Sequence, residues 1–137
     1  AKRIKRKSKM IINLTKDFKL HEFECNCGCE MPESVFTEVK KLANQLQIIR
    51  SFIQRPIILT NAYRCPTHNK DVGGVSDSQH LLGKAADIKV KELDPTELYS
   101  VINTLIRYDY VTEGGMGLYN TFVHYDIRGT YARWDNR

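Results

Sequence analysis

Ser78-Gln79-His80-Leu81-Leu82-Gly83-Lys84-Ala85-Ala86-Asp87, running on through Ile88-Lys89-Val90, is the stretch on which the reading of this chain turns. From Ala86 onward the residues alternate. Ala86, Ile88 and Val90 point one way and Asp87 and Lys89 the other, the pattern of a strand with one buried face. Phe122-Val123-His124-Tyr125-Asp126-Ile127 alternates in the same way, with His124 and Asp126 off the apolar side and Tyr125 on it. Two strands therefore each turn a metal-competent side chain to a common face. Gly83 and Ala85 are small enough to let the segment from His80 fold tightly back towards Asp87. Taken singly, a histidine near a strand is more often a surface or packed residue than a ligand. Taken together, His80, Asp87 and His124 make the kind of set that a catalytic zinc needs, three protein ligands with one position left for water.

Further out, Val35, Val39, Leu42, Leu46, Ile49 and Ile53 recur at spacings of three or four, which predicts a helix over Pro32–Gln54, opened by proline and stopped before Pro56. Ile57–Asn61 follows as a short buried strand. Pro66–Val72 is a brief helix broken by Gly73-Gly74. Asp94-Pro95-Thr96-Glu97 is a helix start, with Asp94 as the cap, and Leu98, Val101, Ile102, Leu105 and Ile106 supply its buried face. Gly114–Gly117 is read as a turn, and Met116–Tyr119 with Phe122–Ile127 as a hairpin around Asn120. The fold class is α+β: an antiparallel sheet with helices packed on one face, and the candidate zinc cleft on the face opposite the Pro32–Gln54 helix.

Composition bounds the function. At 137 residues, 42% hydrophobic and 27% charged, the chain fits one globular domain with a core of its own. We expect a basic flexible arm at 1–13 and a single domain over 14–137. The net charge of +5 sits in that arm, where Lys2, Arg3, Lys5, Arg6, Lys7 and Lys9 occur without an acid. A basic tail can attract nucleic acid, but no folded basic stripe with interleaved aromatics supports that partner, and nucleic acid is not expected. No apolar run is long enough to span a membrane, and no secretory signal stands in the sequence as given.

Cys25, Cys27, Cys29 and Cys65 need a separate account. Structural zinc sites usually space their ligands as Cys-x2–4-Cys, and Cys-x-Cys-x-Cys is tighter. We therefore expect either a disulfide from the cluster to Cys65 or free thiols, ahead of a structural metal.

Ser78-x-His80-x-x-Gly83-x-Ala85-x-Asp87, followed by the distant His124, resembles the signature of the zinc D-Ala-D-Ala carboxypeptidase and murein peptidase family, whose fold is shared with the hedgehog signalling domain. The upstream Asn61-Ala62-Tyr63-Arg64-Cys65-Pro66 and Asn69 are similar to the family segment in which an arginine contacts substrate. The resemblance spans most of the chain after the arm. It implies a metallopeptidase with one zinc ion on His80, Asp87 and His124, cutting peptidoglycan stem peptides or cross-links as a carboxypeptidase or an endopeptidase. It implies Arg64 as a substrate contact, which Ser78 could join unless it is merely a turn residue. Many members place an acid three positions before the last histidine as the general base; here that position is Thr121. The subgroup this chain resembles carries His-x-Asp instead, so Asp126 is the first candidate base, with the alternative that it orients a neighbour such as Arg64 or Arg128. Glu113 is the second candidate. The competing reading is a binding module of the same fold that keeps the metal and has lost hydrolysis. A monomer is expected, and the setting would be periplasmic, secreted or phage-associated.

Overall fold

The computed structural model describes residues 11–137, and the backbone of Arg3 and Ile4. That short segment forms β1 (Arg3–Ile4), antiparallel to β2 (Met31–Pro32). The rest of the basic arm's charged stretch lies outside the described residues. Next to it, the carbonyl of Ile12 already accepts from the backbone of Leu20, and Ile12 and Leu14 pack against the core.

Helix α1 (Glu33–Ile53) buries Val35, Val39, Leu42, Ala43, Leu46 and Ile49 along one side, the stripe that the spacing predicts. Pro32 caps it in an extended conformation rather than occupying its first turn, and Gln54 closes it in the left-handed region. After α1 come β3 (Ile58–Asn61), α2 (Pro66–Asp71), a single 3-10 turn over Gln79–Leu82, β4 (Ala85–Lys89), α3 (Pro95–Arg107), β5 (Gly115–Leu118), β6 (Val123–Asp126) and β7 (Ala132–Asp135). Asp94 caps α3 through its carboxylate, which accepts from Thr96 N.

The main sheet has the order β3-β4-β6-β5-β7. All its pairings are antiparallel except the last, β5 with β7. The α+β class with a mostly antiparallel sheet agrees with the expectation, and three details differ from it. β3 is an edge strand with Ile58 and Thr60 facing solvent, not a buried one, because only β4 pairs with it. Gly115–Gly117 is not a turn but the interior of β5. The glycines there mark close approach across the sheet: a Cβ on Gly117 would run into the indole of Trp134. The parallel edge strand β7, which carries that indole, has no counterpart in the expected elements.

Ala86, Ile88, Met116, Leu118, Val123 and Tyr125 face a single hydrophobic cluster shared with α1 and α3. The alternate residues, Asp87, His124 and Gly117, lie level with one another across β4, β6 and β5 on the other face. The Tyr125 hydroxyl, reaching through the core, donates to Thr112 O at 2.7 Å. No helix among the described residues is long and apolar enough to cross a membrane.

Gly83 joins the two layers. It ends the 3-10 turn at φ +75°, and a Cβ there would lie 2.7 Å from Val35 Cγ1 and 2.9 Å from Val35 O. Left-handed backbone and helix contact both exclude a side chain. Gly83→Ala is expected to cost about 2–4 kcal/mol, seen as a lower denaturation midpoint at unchanged slope. A loss well under 1 kcal/mol would mean that α1 does not pin this turn.

Candidate metal centre

Three elements carry the site. The 3-10 turn brings in His80, its N-terminus capped by Ser78 Oγ, which accepts from His80 N at 3.1 Å. Strands β4 and β6 bring Asp87 and His124 face to face as register partners. Asp87 Oδ1 lies 3.3 Å from His80 Nε2 and 3.2 Å from His124 Nδ1. The two imidazoles meet edge to face, with ring centroids 5.1 Å apart. His80 and His124 are buried, and Asp87 nearly so.

The far nitrogen of each ring is already engaged. His80 Nδ1 lies 2.7 Å from Ala62 O, a group that can only accept, so Nδ1 carries the hydrogen and Nε2 presents a lone pair to Asp87. His124 Nε2 lies 2.7 Å from Asp126 Oδ2, which fixes that ring with Nδ1 towards Asp87. Two ring lone pairs and a carboxylate oxygen thus converge, an arrangement that needs a proton or a cation among them. Ligand bonds of about 2.0–2.1 Å at tetrahedral angles set two ligand atoms roughly 3.3 Å apart. The observed 3.2 and 3.3 Å match, and two imidazoles with one carboxylate are zinc chemistry. His80 Nε2, Asp87 Oδ1 and His124 Nδ1 are the atoms that would hold the ion.

Asp126 stands behind His124. It is fully buried and saturated: besides His124, it accepts from Gly115 N (2.9 Å), from Arg128 N (3.1 Å), and through both oxygens from the Arg128 guanidinium at 2.9 and 2.8 Å. Arg128 in turn lies over the Trp134 ring, 5.6 Å from its centroid, and Trp134 packs on His124 at 4.9 Å between centroids.

In the metal-free chain these contacts set the charges. Burial pushes the Asp87 carboxyl up, but hydrogen bonds and charge from His124 and His80 outweigh it and hold it below the ordinary carboxylate range. Burial acts the same way on Asp126, and His124, Arg128 and Gly115 N–H overcome it. Burial lowers His124, and its bonds to Asp126 and Asp87 raise it further than burial lowers it. The two aspartates stabilise the fold above their ordinary value of 3.8, and this contribution is lost as pH falls through their folded values. His124 stabilises fully below its ordinary 6.5, and its contribution is lost as pH rises through its raised folded value. Denaturation in chelator is therefore expected to show greatest stability between about pH 4 and 6.5, with the alkaline decline absent in His124→Ala. An alkaline decline undiminished in that variant would assign it to another group.

The cluster forms the floor of a cavity of about 600 Å³. Arg64 and Ser78 lie in its wall, the Arg64 guanidinium donating to Ser78 Oγ at 3.2 Å. Arg64 makes no ion pair among the described residues, and its Nε is buried without a partner. Tyr119, Phe122 and Trp134 supply an aromatic side, Tyr119 stacked on Phe122 at 4.3 Å and its hydroxyl accepting from Trp134 Nε1 at 3.0 Å.

The structure thus brings His80, Asp87 and His124 together, with Arg64 and Ser78 beside them. It does not bring Glu113 there: that carboxylate pairs with Arg133 at 3.0 Å and borders a different cavity with Tyr99 and Asn103. Asp126 does not line the main cavity either, since the His124 ring stands between. Sequence reasoning missed Trp134; of the two neighbours it offered to Asp126, Arg64 and Arg128, the structure pairs it with Arg128. The sequence signal for that pairing was His124-x-Asp126-x-Arg128, three polar residues at strand spacing.

A buried two-histidine, one-aspartate set lining an open cleft is a candidate metal site with the donor chemistry of hydrolytic zinc. The Peptidase M15 family profile matches residues 16–126, and the chain belongs to that family of zinc-dependent metallopeptidases. A comparison with curated proteins finds no match.

Proposed function

We propose that this metallopeptidase hydrolyses peptide bonds in peptidoglycan, in the stem peptides or their cross-links. The observation that carries this reading is the cavity itself: a three-donor floor with the Arg64 guanidinium, which has no ion pair among the described residues and whose Nε lacks a partner, in the wall beside it. Stem peptides offer carboxylates close to the bonds to be cut, and the planar fork of arginine holds a carboxylate through two parallel bonds. Zinc on this set would supply an activated water and polarise the scissile carbonyl. The chain's own contributions are then distinct. Asp126 holds the His124 ring, Ala62 O holds His80, and the aromatic side of Tyr119, Phe122 and Trp134 narrows the site against bulk water. Asp77, the one carboxylate outside the cluster that lines the cavity among the described residues, is the variant to examine for proton transfer. In this reading the chain works as a monomer and meets its substrate outside the cytoplasm or during phage entry or release.

The deciding experiment incubates the protein with purified peptidoglycan, with and without chelator, and identifies the fragments by mass spectrometry. Chelator-sensitive release of D-alanine means a carboxypeptidase, and release of uncross-linked muropeptides an endopeptidase. Arg64→Ala is expected to lower kcat/KM by about ten- to a hundredfold, mostly through KM, as a charge-assisted bond of about 1.5–3 kcal/mol would. Arg64→Lys should recover only part, and an unchanged KM would remove Arg64 from substrate binding.

One observation favours a second reading, a module that binds wall peptides without cutting them. Thr121, at the position where many relatives carry an acid, is exposed in the β5–β6 turn, and Asp126 is walled off behind His124. Stoichiometric metal with substrate bound but uncut would select it.

A further inference from the structure

The four cysteines converge. Their sulfurs all lie within 4.8 Å of one another, with Cys25 Sγ 3.3 Å from Cys27 Sγ and Cys27 Sγ 3.6 Å from Cys65 Sγ, and none is in a disulfide. Of the two expected states, a bridge to Cys65 or free thiols, the structure has the thiols free, and the tight Cys-x-Cys-x-Cys spacing does not keep the four sulfurs from meeting in space. Cys25, Cys27 and Cys29 sit on an irregular loop between the 3-10 turn at Leu20–Phe23 and β2, and the loop wraps so that successive odd residues face one point. Cys65 reaches the same point from the N-cap of α2.

We propose that Cys25, Cys27, Cys29 and Cys65 bind a second metal ion, a structural zinc or similarly thiophilic divalent cation, separate from the His80–Asp87–His124 centre. Zinc–sulfur bonds of about 2.3 Å at tetrahedral angles place sulfurs roughly 3.8 Å apart, inside the observed spread. Backbone N–H groups already point at the sulfurs, from Cys65 N to Cys25 Sγ and from His68 N to Cys65 Sγ, both at 3.4 Å. Binding converts thiols to thiolates and releases their protons to solvent, so no oxidant or reductant takes part.

The position gives the ion a task. The segment 14–31 has little regular structure, and its attachment to the domain runs through contacts such as Tyr63 N to Phe23 O at 3.1 Å. Cys65 follows Arg64 directly, and the same short stretch supplies the Ala62 carbonyl that holds His80. A metal on the four sulfurs ties the N-terminal segment to the chain that positions both Arg64 and His80.

The test uses the full chain, purified without chelator in the presence of zinc under reducing conditions, then loaded with cobalt(II) in place of zinc. The catalytic set contains no sulfur, so it cannot give a thiolate-to-cobalt charge-transfer band. We expect that band in the native protein and in His124→Ala, its loss in Cys65→Ser and in Cys29→Ser, and a second equivalent of zinc by elemental analysis in the native chain. The native and His124→Ala measurements leave every cysteine in place, so they decide the question even where a cysteine variant does not fold. No charge-transfer band, with the four cysteines reacting freely with a thiol reagent or found as disulfides by mass, overturns the proposal. Peptidoglycan hydrolysis is not a readout here, so this site can fail or stand independently of the proposed substrate.

Discussion

Replacing His124 with alanine is expected to lower metal-dependent hydrolysis by on the order of a thousandfold or more, since a catalytic ion is worth several kcal/mol of transition-state stabilisation and each 1.4 kcal/mol is about tenfold. The loss is expected in kcat rather than in KM, because Arg64 and Ser78 keep their places in the cavity wall. His124 supplies one of three donors, and its removal leaves Asp87 facing His80 alone. The fold should survive. Asp126 keeps Arg128 and Gly115 as partners, and the Val123 and Tyr125 side chains that anchor β6 lie on the opposite face. The measurements are metal content at the catalytic site by competition with a chromophoric chelator, muropeptide release, and the thermal midpoint. A variant that keeps a tenth of native turnover would mean that the ion is held by other groups or takes no part. A variant that loses turnover but keeps its metal would instead give His124 a direct role with the substrate.

The candidate metal ligands on the strands were legible because they obey a local rule, and the family resemblance joined them to His80 as one set. Asp87 and His124 fall on the off-core side of alternating strands, and alternation is the most reliable thing a strand writes into its sequence. His80 was legible through Gly83, whose left-handed turn returns the chain to β4. What the alternation could not say is which ring nitrogen of His124 faces Asp126. The i+2 carboxylate lies on the right face for either a base or a support, and the 2.7 Å contact to Nε2 is what favours support. Glu113 misled because nearness in sequence to the β5–β6 hairpin is not nearness to the cluster. Arg133, on a strand too short to be recognised, draws it to another surface. Trp134 was invisible for the same reason: four residues of β7 carry no period, and their parallel pairing with β5 is a tertiary fact. The convergence of all four cysteines was not legible because Cys65 arrives at the N-cap of α2, and a spacing rule applied to the loop alone does not place it among the other three.

Asp126→Asn separates two roles that are identical on paper. If Asp126 accepted a proton during turnover, the amide would leave metal affinity intact and abolish only the chemistry. The structure leads to a different outcome. The substituted side chain can keep one acceptor towards Gly115 N and the Arg128 backbone, but its amide nitrogen must then face both His124 Nε2 and the Arg128 guanidinium, all of them donors. The imidazole escapes by changing tautomer, taking the hydrogen to Nδ1, the atom that faces Asp87 and would hold the ion. Metal affinity is therefore expected to fall by about ten- to a hundredfold, the usual consequence of losing the carboxylate behind a ligating histidine, with turnover restored in part by excess zinc. Asp126→Ala removes the acceptor altogether and strands five donor atoms on three residues, Gly115, His124 and Arg128, so it should also cost about 3–5 kcal/mol of stability. Chelator competition and denaturation midpoints on the two variants give the answer. Unchanged metal affinity in Asp126→Asn, with turnover lost and not rescued by zinc, would return Asp126 to the role of base.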